Sequence, residues 1–316
     1  MNANVCTLFE GHYHYGVGAL TNSLYKGGFR GTMWAGYRGE LPSWAQPLTK
    51  EKDYQVYQVT DDCRICFVPL STDYHLANYK PTFMLELMEK YAPEADKLFY
   101  FDPDIVTRCE WSFLDEWAEE GIAVCEDVNS PLYVNHPIRL GWVKFLKTKG
   151  QEVNSNFDLY INSGFVGIHR SKKSFLKYWH QTMLNTESVT GSLSVSFIPG
   201  MNGKRLDRPR TALFYGGDQD TFNVAVMAFE KDMVVAGKDA MDFMPGGYIM
   251  SHSLGRNKPW VASYMKQAMQ GKKIAMSHKQ YWENVDAPIQ LYPAAALKKK
   301  KLSMNIAKIV TRFNHA

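Results

Sequence analysis

The chain has 316 residues, of which 45% are hydrophobic and 22% charged. That composition excludes a disordered or fibrous protein and leaves one large α/β domain or two average ones. No apolar run approaches the roughly 20 residues that span a bilayer, since the longest, 222–229, is broken by Asn223. The net charge of +4 is unevenly placed: residues 298–316 hold Lys298, Lys299, Lys300, Lys301, Lys308 and Arg312 with no acid, leaving −2 on the rest. A folded body without a basic face lacks the footprint of a nucleic-acid binder, so no nucleic-acid partner is expected.

The opening Met1-Asn2-Ala3-Asn4-Val5 lacks the basic and apolar regions of a signal peptide, so the chain is expected to stay in the cytoplasm. Its five scattered cysteines suit a reducing compartment better than a disulfide framework. Cys63 and Cys66 have CxxC spacing, open to a zinc or redox role or to two free thiols beside a strand.

In chain order, Val5–Phe9 reads as a strand and Gly16–Lys26 as a helix stopped by Gly27-Gly28. Strands follow at Thr32–Tyr37 and Arg64–Pro69. Pro81, at a first helical position, opens a helix to about Tyr91. Lys97–Phe101 is a buried strand running into Asp102-Pro103-Asp104. Ile122–Cys125 and Leu159–His169 are further strands, the second followed by Ser171 as a helix cap. Residues 185–217 are polar, rich in Gly, Ser, Arg and Pro, and too long for a plain connection. They are expected to form a lid or an acceptor-side loop, with Lys204, Arg205, Arg208 and Arg210, or else a solvated basic loop. Asp218–Phe229 is a helix, Tyr248–Met250 a strand, and Pro259–Met269 a helix.

Four segments carry chemistry. Asp102 and Asp104 follow a buried strand, where ligands of open α/β sheets bind. Two carboxylates at i and i+2 can share one divalent cation, although two solvated acids in a turn give the same pattern. His252-Ser253-Leu254-Gly255-Arg256-Asn257-Lys258-Pro259-Trp260 compresses a metal-capable imidazole, a glycine for close approach, a phosphate-neutralising lysine and a helix start into nine residues. Taken singly, His252 is also compatible with a hydrogen-bonded turn. Asp218-Gln219-Asp220 opens a helix, so its acids serve either a ligand or the helix cap. Asn162-Ser163-Gly164 is a polar break in a buried strand, open to a site role or a β-bulge.

In this order and spacing the four segments resemble the GT-A-fold glycosyltransferases, particularly the retaining family 8 group, from about Val5 to Trp260. HxxGxxKPW is the specific part of the resemblance. The resemblance implies a Rossmann-like α/β fold, a mixed central sheet flanked by helices, and one domain over 1–297. Within it, donor binding would fall to about 1–130 and the acceptor and lid region to about 130–217. By the same resemblance Asp102, Asp104 and His252 would ligate Mn²⁺, or Mg²⁺, and Gly255 and Lys258 would hold the diphosphate of a nucleotide-sugar, a UDP-sugar above all. Asn162, Asp218 and Gln219 would contact the transferred sugar, with Gln219 facing its anomeric carbon, and Lys80 stands where a basic donor contact is placed. Phe9-Glu10-Gly11-His12-Tyr13 departs from the family's usual pattern, leaving Phe9 or Tyr13 to stack on the base.

The implied activity is hexosyl transfer to a glycan or lipid-linked acceptor in polysaccharide biosynthesis, with retention of configuration. Two alternatives use the same residues: a nucleotide-sugar-binding protein without turnover, and a phosphatase of the haloacid-dehalogenase type with Asp102 as nucleophile. After the lysine run, Leu302, Ile306, Ile309, Val310 and Phe313 fall on one helical face and Lys301, Lys308 and Arg312 on another. Residues 298–316 are therefore expected to form a basic amphipathic tail. It would hold the enzyme peripherally on an anionic membrane, the inner face of the plasma membrane, or dock on the protein's own core.

Overall fold

The computed structural model describes residues 3–153, 155–195 and 209–313. The chain runs β1 (Ala3–Glu10), α1 (His14–Lys26), β2 (Gly31–Arg38), β3 (Thr49–Glu51), β4 (Tyr54–Thr60), β5 (Cys63–Pro69), α2 (Leu76–Glu86), β6 (Lys97–Phe101), β7 (Ile105–Thr107), α3 (Trp111–Glu120) and β8 (Ile122–Glu126). It continues through α4 (Pro137–Thr148), β9 (Ile161–His169), α5 (Lys173–Thr190), α6 (Asp218–Ala228), β10 (Met233–Ala236), β11 (Met250–His252), α7 (Tyr264–Met269), α8 (Met276–Trp282) and α9 (Ala294–Phe313).

Among the described residues, nine strands form one mixed sheet in the order β10-β8-β9-β6-β1-β2-β5-β4-β3. β6, β1, β2 and β5 run parallel, whereas β9 is antiparallel to both β6 and β8. Side chains alternate between two buried faces, as strand geometry requires. Val5, Phe9, Ile65, Phe99 and Phe101 meet α1 and α3 on one face. Cys6, Leu8, Val68, Leu98 and Tyr100 meet α2, α5 and α6 on the other. The same period separates the CxxC pair, because residues three apart on a strand point to opposite faces. Cys63 and Cys66 enter different core clusters. Burial pushes their thiols up to about 11 and about 12, and both are free.

Several boundaries differ from the sequence expectation: the strand expected at Tyr248–Met250 is Met250–His252, and His169, not Ser171, caps the turn after β9, its side chain accepting from Ser171 N. α2 begins at Leu76, with the His75 imidazole accepting from Ala77 N at 3.3 Å, so Pro81 lies inside the helix. Burial of Leu76, Phe83 and Met84 outweighs the roughly 3 kcal/mol cost of an interior proline. α5 continues to Thr190, where Gly191 supplies a left-handed cap at φ +83°. The expected lid is shortened accordingly, and Lys204, Arg205 and Arg208 lie outside the described residues. Lys258–Ala262 forms a turn in place of the expected helix start, with the Lys258 carbonyl accepting from both Val261 N and Ala262 N. Trp260 packs against Tyr13 and Tyr281, which fixes that turn and leaves no helix N-terminus there for an anion.

The C-terminal quarter is tied to the sheet by Asn22, fully buried on α1. Its Nδ2 donates to the carbonyls of Asn284 (2.9 Å) and Ile289 (2.8 Å), and its Oδ1 accepts from Ile289 N (2.8 Å). α9 docks beside α7 through Leu297, Met304, Ala307 and Thr311. No helix among the described residues is long and apolar enough to cross a membrane.

Asn22→Ala strands three buried backbone groups and is expected to cost about 2–4 kcal/mol, read as a lowered urea midpoint at unchanged slope. A second expectation concerns His278, buried against Tyr264. Burial lowers its imidazole from 6.5 to about 4. Between those pH values the unfolded chain binds a proton that the native state refuses, so stability falls on acidification from pH 6.5 toward 4. The loss is on the order of 1–3 kcal/mol, and a His278→Gln variant removes that part of the dependence in pH-stepped thermal unfolding.

Candidate active site

Two strand pairings assemble the site. β6 ends at Phe101 and delivers Asp102 to the carboxyl edge of the sheet. β9, running the opposite way, begins there: Phe101 faces Phe165, and Asp102 N donates to the Gly164 carbonyl at 2.7 Å. The antiparallel direction therefore places Asn162-Ser163-Gly164 beside the acidic pair, although some sixty residues separate them in sequence. β7 then pairs antiparallel with β11, His252 opposite Ile105, and Ser253 N donates to the Asp104 carbonyl at 3.0 Å.

His252 Nε2 consequently lies 3.3 Å from Asp104 Oδ1 and 4.0 Å from Asp102 Oδ2. One ligand atom from each of Asp102, Asp104 and His252 falls within 4.8 Å of the others. His252 Nδ1 is buried without a hydrogen-bond partner. Two glycines make room for this cluster. A Cβ on Gly164 would lie 2.7 Å from the His252 ring and 2.9 Å from Asp102 Oδ2, and one on Gly16 would strike the Pro103 carbonyl at 1.8 Å.

Two ammonium groups balance part of the negative charge. Lys258 Nζ pairs with Asp104 and donates to the Ser253 carbonyl at 2.7 Å. Burial opposes charge on Asp104, but Lys258 and His252 hold its carboxyl well below the usual carboxylate range. Lys80, almost fully buried, donates to Asp218 Oδ2 (3.0 Å) and the Ser163 carbonyl (3.1 Å), and stands 3.1 Å from Asp102 Oδ1. Burial pulls its ammonium down, yet Asp102 and Asp218 push it above the ordinary lysine value. Tyr100 Oη completes the bracing of Asp102 at 2.8 Å.

Lys80, Tyr100, Asp102, Asp104, Asp218, His252 and Lys258 line one cavity of about 700 Å³. Gln219 lies beside Asn162 and Ser163, its Oε1 3.5 Å from both Asn162 Nδ2 and Ser163 N. Gly255, at φ +79°, has no heavy atom within 4 Å of where a Cβ would stand, so backbone there is open to a ligand. Tyr13 lines the cavity with Lys258 Nζ 5.8 Å from its ring centre. Phe9 is only 1% exposed and stacks on Tyr37, which leaves Tyr13 the more accessible ring. The lining also includes Leu132, Ile138, Trp142, Tyr160, Tyr215 and Arg210.

Some site residues escaped the sequence reading. Asp127 follows β8 and accepts from Asn162 Nδ2 at 2.7 Å. Its position just past a buried strand at the ligand edge of the sheet was the available signal. Tyr160, whose Oη donates to Asp220 at 2.6 Å, had no signal of its own, whereas Ser163, part of the polar break in β9, donates to Asp218 at 2.8 Å.

The backbone as a whole is similar to solved glycosyltransferases. It superposes on the apo structure of the bifunctional glycosyltransferase WbbM with a TM-score of 0.51 at 12% identity, over 95% of this chain and 51% of that one. On the glycosyltransferase GlyE of Streptococcus pneumoniae TIGR4 the score is 0.53 at 12% identity, over 97% of this chain and 64% of that one. The fold is that of a glycosyltransferase. The chain thus spans between half and two thirds of the length of these two proteins, and at such identity the likeness speaks to fold alone. No protein-family model and no curated protein matches the sequence.

Lys80→Met leaves Asp102 and Asp218 uncompensated and is expected to destabilise by about 3–5 kcal/mol. Adding Asp218→Asn should recover a measurable part of that loss in a denaturation cycle, because the two residues share one interaction.

Proposed function

We propose that the chain is a metal-dependent glycosyltransferase that moves a hexose from a nucleoside-diphosphate sugar to a glycan or lipid-linked acceptor with retention of anomeric configuration. The observation that carries this reading is the convergence of Asp102, Asp104 and His252 in one cavity with Lys258 and Lys80. The residues fit a divalent cation. Two carboxylates and an imidazole converge within a few ångströms, and Asp102, Asp104, Asp127, Asp218 and Asp220 outnumber the two buried ammonium groups around the cavity. The mixed oxygen and nitrogen set suits Mn²⁺ better than Mg²⁺, which prefers oxygen and water. When bound, such an ion supplies charge stabilisation to the departing diphosphate.

The chain's own residues do the remainder. Lys258, held by Asp104 and Ser253, presents its ammonium where negative charge grows on the leaving group. The open backbone at Gly255 admits the diphosphate, and Tyr13 offers a ring to the base. Lys80 fixes Asp102 and Asp218 in place, so that Asp218, Asn162 and Asp127 hold sugar hydroxyls. Gln219, a neutral amide, is a poor nucleophile, which disfavours a covalent glycosyl-enzyme. The acceptor hydroxyl then attacks from the face the diphosphate leaves: the C1–O(phosphate) bond breaks with its electron pair to phosphate. The acceptor oxygen bonds C1, and its proton passes to the departing phosphate oxygen. A phosphatase built on Asp102 would leave the whole His252–Lys258 half of the cavity without a task.

His252→Ala should fold as wild type and lose transfer by on the order of 10²–10³-fold, as should wild type after chelation. Asp102→Asn should lose transfer equally and fold with lowered stability, because Lys80 then keeps Asp218 as its carboxylate partner. Product anomeric configuration by NMR decides the stereochemistry, and an inverted linkage from an α-linked donor would overturn the front-face route. Tight donor binding without hydrolysis or transfer over long incubation would instead assign the fold to a binding protein.

A further inference from the structure

α9 carries two faces. At 100° per residue, Leu297, Lys300, Met304, Ala307 and Thr311 form the face that docks on the protein. There Lys300 Nζ donates to the Ala262 carbonyl at 2.7 Å and lies over the rings of Tyr264 and Trp282. Roughly opposite, Leu302, Ile306, Ile309 and Phe313 fall within about 60° of one another. They are 60%, 42%, 55% and 77% exposed. Among the described residues nothing covers this stripe. Lys301, Lys308 and Arg312 flank it on one side and Lys299 on the other, all exposed. Lys301 also reaches Asp286 at 3.4 Å, and α9 itself contains no acid.

An apolar stripe walled by cations is matched by a surface with an apolar interior and an anionic rim. A second copy of the helix is not such a surface, because it would bring cations against cations. We propose that the outward face of α9 docks on an anionic phospholipid surface, the four apolar side chains entering the headgroup boundary and the flanking cations meeting lipid phosphates. Docking uses a helix already folded against the body, so no ordering cost of a free tail opposes it. α9 contacts Ala262, only a few residues past Lys258 and Trp260. A lipid surface held by α9 therefore stands at a set distance from the cavity, as suits an acceptor that is itself lipid-linked. Because α9 supplies core contacts through Met304 and Ala307, substitution on the exposed face is the informative perturbation, and removal of the helix is not.

The test is sedimentation of the full chain with vesicles of phosphatidylcholine alone or mixed equally with phosphatidylglycerol. Wild type should pellet with the mixed vesicles only and be released by high salt. A triple variant Ile306→Ser/Ile309→Ser/Phe313→Ser and a triple variant Lys299→Gln/Lys308→Gln/Arg312→Gln should unfold at the wild-type temperature. The first should lose at least about tenfold in partitioning, the second on the order of a hundredfold. Wild type remaining in the supernatant, or either variant pelleting like wild type, overturns the proposal. So does a dimer in sedimentation velocity that the serine variant dissolves without any vesicle binding, since the stripe's partner is then a second copy.

Discussion

A single buried ammonium holds the two halves of the cavity together. Lys80 arrives from α2, Asp102 from the end of β6 and Asp218 from the start of α6, and the three meet at the base of the cavity, Lys80 and Asp218 buried and Asp102 partly exposed. Each carboxylate alone would resist burial and the ammonium alone would resist it more. Together they are mutually required, so the position of each element is set by the other two. Pro81, the next residue, costs the helix a hydrogen bond, yet the helix persists because its apolar face and this ion cluster are both buried.

Around that cluster the strand directions do the placing. A parallel sheet would have carried the start of β9 to the far edge of the molecule. Antiparallel pairing with β6 returns it to the carboxyl edge, where Asn162, Ser163 and Gly164 join Asp102. The small β7–β11 ladder repeats the device: three residue pairs set His252 against Asp104 and leave Lys258 to fold back over the same acid. Gly164 and Gly16 are the points where backbone must approach side chain or backbone so closely that no Cβ fits. The site is thus a property of the ladder, with the glycines as clearances.

α9 shows how one helix can serve two surfaces. Its sequence pattern holds a visible apolar stripe, and the docked face is a second, less conspicuous one made of Leu297, Met304, Ala307 and Thr311. Small residues there allow close approach to α7, while Lys300 lays its stem over aromatic rings and finds a carbonyl for its head.

By itself the sequence determined the α/β class, the buried strand ahead of Asp102-Pro103-Asp104, the segment His252–Trp260 and the amphipathic character of the C-terminal helix. Each of these is a local matter of period, punctuation or residue type within a dozen positions. Tertiary structure alone decided that β9 runs against β6, that Asp127 braces Asn162, that Lys80 lies inside a helix and between two acids, and that of the two cavity-lining rings Phe9 is buried and Tyr13 partly exposed. It also decided which face of α9 looks outward. Those outcomes depend on strand direction and on long-range burial, and neither leaves a mark within the window that a local pattern can read.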